Sequence, residues 1–122
     1  MLRLVAVLLL MVLGTVAVAD QIVPVYVDGK RTNFTPAARV RDGKSYAPLR
    51  AISEALGAEV QWNEKSQMAA ICRGNACASI RRSEGIVVDN QMLVPLRLLG
   101  ETLGAKVKWD AGMRAVLINT SR

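Results

Sequence analysis

Cys72 and Cys77 are the only cysteines of this chain, and four residues separate them. That spacing suits two residues facing each other across a β-hairpin, and in an exported protein it points to a disulfide. The rival reading, a two-thiolate metal site, lacks further ligands, because there is no third cysteine and no histidine anywhere. The missing histidine also removes the usual general base, so a histidine-dependent triad is excluded. The ten carboxylates are scattered singly, without the close acid pair that glycoside hydrolysis needs. No glycine-rich phosphate loop is present. For copper, only Met68, Met92, Met113 and the cysteines offer soft ligands, and those methionines read as core. No catalytic, cofactor-binding or metal residue is therefore assigned.

Two further constellations occur in duplicate. Arg50 precedes Glu54, and Arg97 precedes Glu101, each by four residues. An arginine in the first turn of a helix opposes the dipole, and Arg before Glu is the weaker order for such a pair. The same rule broken twice suggests a tertiary reason. A structural ion pair that locks helix to strand is the leading reading, and an anion site the competing one. Trp62 and Trp109 have equivalent surroundings. They read as core residues, with a sugar-stacking platform as the competing function.

Both constellations sit in a repeated stretch. Residues 48–62 run Pro-Leu-Arg-Ala-Ile-Ser-Glu-Ala-Leu-Gly-Ala-Glu-Val-Gln-Trp. Residues 95–109 run Pro-Leu-Arg-Leu-Leu-Gly-Glu-Thr-Leu-Gly-Ala-Lys-Val-Lys-Trp, without a gap at an offset of 47. A period of this size marks a duplicated supersecondary unit, here bounded at about 42–71 and 89–118. Proline suits the first helical turn. Leu49, Ile52 and Leu56 share a helical face, as do Leu96, Leu99 and Leu103. Gly57 and Gly104 fall where a left-handed residue ends a helix. Val60-Gln61-Trp62 and Val107-Lys108-Trp109 then alternate like half-buried strands.

The rest of the chain reads as short strands between turns. Asp28-Gly29, Asp42-Gly43 and Asp89-Asn90 are turn signals. The expected fold is α+β, an antiparallel β-sheet wrapped around two short helices and built from an internal duplication.

Met1-Leu2-Arg3, an apolar run over residues 4–18 and Ala17-Val18-Ala19 make a secretory signal peptide, with cleavage between Ala19 and Asp20. The 20–122 product would be secreted or extracytoplasmic. No cysteine near the cleavage site offers a lipid anchor, and the C-terminus has no hydrophobic tail. Loss of Arg3 with the leader takes the net charge from +6 to +5. Arg39 with Arg41, and Lys106 with Lys108, each share one face of a strand. Such residues are usually a solvated face, and a polyanion-facing surface is the competing role. Export argues against a nucleic acid partner, and no aromatic-basic platform is evident.

The doubled Pro-Leu-Arg and Glu-x-Leu-Gly-Ala-x-Val-x-Trp motifs, each followed by a hydrophobic strand, resemble the copper amine oxidase N-terminal-like domain family. The resemblance covers about residues 23–119. It implies a stalk-like, non-catalytic module of secreted and cell-surface bacterial proteins, with strands around a helix and no copper expected. The function expected from it is binding or scaffolding in the cell envelope, through weak association with an anionic wall polysaccharide. The alternative is a structural or assembly module that pairs with another envelope protein.

Overall fold

A computed structural model describes residues 20–121. The leader and its Ala19–Asp20 cleavage site lie, apart from Asp20, outside the described residues. The elements in order are β1 (Gln21–Ile22), β2 (Val25–Val27), β3 (Lys30–Thr32), β4 (Arg39–Arg41), β5 (Lys44–Pro48), α1 (Leu49–Ala55), β6 (Glu59–Asn63), β7 (Met68–Arg73), β8 (Ala76–Arg81), a 3-10 turn (Arg82–Glu84), β9 (Ile86–Val88), β10 (Gln91–Pro95), α2 (Leu96–Thr102), β11 (Lys106–Asp110) and β12 (Ala115–Asn119). The described residues are mostly β-sheet with two short helices, an α+β arrangement.

The strands form three sheets: β1-β4-β5-β10-β9, β11-β12-β2-β3 and β6-β7-β8. The turns explain the hairpins. Asp42 (φ 52°) and Gly43 (φ 76°) between β4 and β5 both take positive φ, as do Asp89 (φ 50°) and Asn90 (φ 61°) between β9 and β10. That backbone matches the right-handed twist of two-residue hairpins. Each helix stops as its glycine predicts, because Gly57 (φ 73°) and Gly104 (φ 83°) are left-handed. In α1, Gly57 N–H donates to Glu54 O (3.0 Å) and Ala58 N–H to Ser53 O (2.8 Å). In α2, Gly104 N–H donates to Glu101 O (3.1 Å) and Ala105 N–H to Gly100 O (2.8 Å). This paired pattern satisfies carbonyls that a short helix otherwise leaves open.

The elements β4 to β7 recur as β9 to β12, 47 positions on, with the same pairings. Val40 faces Ser45, and Val87 faces Met92. Asn63 faces Met68, and Asp110 faces Ala115. The two sets meet in the central sheet, where Pro48 faces Leu93, Ala47 faces Val94 and Tyr46 faces Pro95. Shifting every member by 47 returns the same three pairs. A local two-fold axis therefore passes between Ala47 and Val94, both fully buried.

Leu49, Ile52 and Leu56 of the first set join Leu96, Leu99 and Leu103 of the second in one buried cluster, with Ile71, Ile80, Val25 and Ile118 from the flanking sheets. These helices are too short to persist alone, and burial of their apolar faces stabilises them.

One pairing departs from the expected antiparallel pattern. β2 runs parallel to β12, with Val25 opposite Val116 and Val27 opposite Ile118. The two strands come from opposite ends of the sequence, so no tight turn dictates their relative direction.

Candidate functional site

Two open grooves flank the axis. The larger encloses about 1120 Å³ between the start of α2, β11 and the β4–β5 hairpin, with Arg97, Leu98, Trp109 and Lys44 on its walls. The smaller, about 350 Å³, lies between α1, β6 and the β9–β10 hairpin. Eight of the nine residues lining the smaller groove have a partner 47 positions away in the larger one. The pairs are Leu49 and Leu96, Arg50 and Arg97, Val60 and Val107, Trp62 and Trp109, Val87 and Val40, Asn90 and Gly43, Gln91 and Lys44, and Met92 and Ser45. Each groove thus draws its helix and tryptophan from one set and its hairpin wall from the other.

The differences set the character of each groove. The smaller one carries Arg50 and Arg82 and no acid on its walls, whereas the larger carries Arg97, Lys44 and Lys108 against Glu84 and Glu101. Arg82 belongs to the 3-10 turn and has no counterpart in the other set. It is held where β8 ends, with its N–H donating to Gln67 O at 3.0 Å and Nη1 to Gln67 Oε1 at 3.1 Å.

This asymmetry corrects the expectation that both tryptophans are core. Trp62 is half-buried and packs against the core, and its Nε1 donates to Glu64 Oε1 at 3.0 Å. Trp109 is 42% exposed. The wall near Trp62 includes Met92 and Arg82. The wall near Trp109 has the shorter Ser45 and no second arginine, so less surface is available to cover the ring.

The duplicated Arg–Glu constellation also differs from expectation. Arg97 Nη1 lies 3.6 Å from Glu101 Oε1, with both side chains more than half exposed. Arg50 and Glu54 are exposed and form no ion pair among the described residues. The arginines sit in the first helical turn at little cost because water screens them from the dipole, and exposed pairs of this kind contribute little. Neither locks its helix to a strand.

The strand-face basic residues divide. Lys106 and Lys108 are exposed on β11, an edge strand. Arg39 and Arg41 are instead turned to Asp20. Arg41 Nε and Nη2 donate to its two carboxylate oxygens at 2.7 Å each, and Arg39 Nη1 lies 3.5 Å away. Gln21 faces Val40 in the β1–β4 ladder, so the next pair outward sets Asp20 opposite Arg41. The hydrogen bond from Arg41 and its charge hold the Asp20 carboxyl below its ordinary pKa, against a smaller opposing effect of burial. This engagement removes Arg39 and Arg41 as free polyanion contacts.

Two more polar anchors gave no local sequence signal. Arg73 Nη2 donates to Thr120 O (2.7 Å) and Nη1 to Leu103 O (3.3 Å), which ties β7 to the end of α2 and to the C-terminal segment. Asp28 accepts hydrogen bonds from the hydroxyl and the N–H of Thr120, and these lower its pKa. Cys72 and Cys77 are directly opposed in the β7–β8 hairpin and joined as a disulfide. Among the described residues no group of three or more Cys, Asp or Glu side chains gathers as a metal site. No helix there is long and apolar enough to cross a membrane.

No curated protein and no solved structure matches the chain. The family model described as copper amine oxidase N-terminal domain matches residues 26–83 and again 80–122. Its two matches together span most of the sequence, and the chain belongs to the copper amine oxidase N-terminal domain family.

Proposed function

We propose that this protein is a secreted, non-catalytic module of the bacterial cell envelope that associates weakly with anionic wall polysaccharide, and that its two matched sets of elements arose by internal duplication. The observation that carries the binding reading is the larger groove. Its walls combine an exposed tryptophan, Trp109, with the cationic Arg97, Lys44 and Lys108, three cations against the two acids Glu84 and Glu101. An indole face stacks on sugar rings, while guanidinium and ammonium groups attract carboxylates or phosphates. The +5 charge left after loss of the leader draws a small domain toward a polyanionic surface, through a field that salt screens over roughly 10 Å at 0.1 M. The 47-residue offset shared by sequence, turns, strand register and groove linings supports the duplication.

The test is sedimentation of the 20–122 protein with insoluble wall material across a salt series. Wild type should pellet at low salt and be released as salt rises. The Lys44→Glu, Lys108→Glu double variant, first checked for unaltered unfolding, should pellet less. Wild type that stays in the supernatant at low salt, or a double variant that pellets equally well, refutes binding through this face. Pairing with an envelope protein is the second reading. It is favoured by β9, which ends the central sheet and leaves Val87 53% exposed. An edge strand of this kind can accept a further strand.

A further inference from the structure

We infer that the two grooves are separate saccharide sites of opposite direction, so that the domain bridges two strands of a carboxylated polysaccharide. This rests on the polysaccharide reading above and adds the number, chemistry and orientation of the sites. Each groove holds one tryptophan and one exposed helix arginine at positions related by the 47-residue shift. The axis that relates them passes between Ala47 and Val94 in an antiparallel strand pair. It therefore reverses any direction that runs across it when one groove is carried to the other. A polysaccharide has distinguishable ends, so one extended strand that runs across the axis cannot fill both grooves equivalently. Two strands running in opposite directions can.

The linings assign the chemistry. The smaller groove has Trp62, Arg50 and Arg82 on its walls and no acid among its lining residues, and the nearby Glu64 carboxylate is engaged by Trp62 Nε1. This lining suits a sugar ring bearing a carboxylate. In the larger groove Glu84 and Glu101 offset much of the positive charge, and Trp109 is the more open ring. Binding there depends more on stacking and less on salt.

The chain has two tryptophans, one in each groove, so fluorescence can read the sites separately. Trp109→Phe leaves Trp62 as the reporter, and Trp62→Phe leaves Trp109. The probe is an oligogalacturonate, titrated at two salt concentrations, with stoichiometry from calorimetry. Both reporters should respond, two oligomers should bind per protein, and the Trp62 signal should weaken more steeply with salt. Arg50→Gln with Arg82→Gln should weaken the Trp62 response roughly tenfold or more and leave the Trp109 response unchanged. With long polygalacturonate, wild type should raise light scattering by bridging chains, and Trp109→Ala or the double arginine variant should not. A stoichiometry of one, a Trp109 response lost with the arginines, or bridging that survives loss of one groove overturns the proposal. So does silence of both tryptophans. If the protein still pellets with wall material in that case, the wall-binding reading stands and only the grooves fall.

Discussion

The helix positions Ser53 and Gly100 are equivalent in the two sets, and they should respond to alanine in opposite ways. A glycine inside a helix ordinarily costs about 0.5–1 kcal/mol relative to alanine. Gly100 is buried in α2, and a Cβ placed on it would overlap Cγ2 of Val107 on β11. Overpacking of a filled core costs about 1–3 kcal/mol. The propensity gain offsets only part of this, and Gly100→Ala should lose on the order of 1 kcal/mol. Ser53 in α1 is fully buried, and its Oγ has no hydrogen-bond partner among the described residues. An unsatisfied buried hydroxyl costs about 1–3 kcal/mol, so Ser53→Ala should be neutral or gain about 1 kcal/mol. A change of 1 kcal/mol moves Tm by roughly 4–8 °C for a domain of this size. Urea and thermal unfolding, followed by circular dichroism and tryptophan fluorescence, would measure both variants. Combining Gly100→Ala with Val107→Ala should recover part of the loss beyond additivity, because the smaller side chain removes the overlap. If Gly100→Ala alone stabilises the protein, the close approach of α2 to β11 is wrong.

Four outcomes follow from other parts of the structure. Trp62→Ala should cost about 2 kcal/mol and Trp109→Ala less than about 1, since a fully buried tryptophan loses about 3–5 and the second ring is largely in water; equal losses in chemical denaturation would contradict the asymmetry. Replacing Cys72 and Cys77 by serine should cost about 2 kcal/mol on the chain-entropy account, and the exported wild type should show no free thiol on labelling in denaturant without reductant. The carboxyls of Asp20 and Asp28 have folded pKa values below their ordinary 3.8. Their contribution is therefore present above that value and lost as pH falls through the lowered folded values, so Asp20→Asn and Asp28→Asn should each flatten the fall in stability below about pH 4. Acid unfolding curves that keep the wild-type slope in both variants would refute those linkages.

What was legible in the sequence is local, and what was not is relational. Helix stops, hairpin turns and the cysteine hairpin each depend on residues within a few positions of one another, and Gly57, Gly104, Asp42 and Asp89 carry their backbone demands in their types. The pairing of β2 with β12 depends on residues some ninety positions apart, and nothing local signals a parallel register. Asp20 meets Arg41 only because β1 lies against β4, so two arginines that alternate like a solvated face prove to be partnered. Trp62 and Trp109 show the same limit most clearly. Their own segments match at nine of fifteen positions, the tryptophan and the valine two residues before it among them, and matched segments predict matched burial. Each ring, however, shares its groove with a hairpin from the other set, where Met92 in one groove is replaced by Ser45 in the other and Arg82 has no equivalent. Differences in those walls, more than in the tryptophan segments, make the grooves unlike. A repeat that keeps its internal packing can therefore vary its surface through residues that its own motif does not contain. In this chain the difference between the grooves lies in residues 43–45, 82 and 90–92 rather than in the Pro-Leu-Arg and Leu-Gly-Ala motifs that reveal the family.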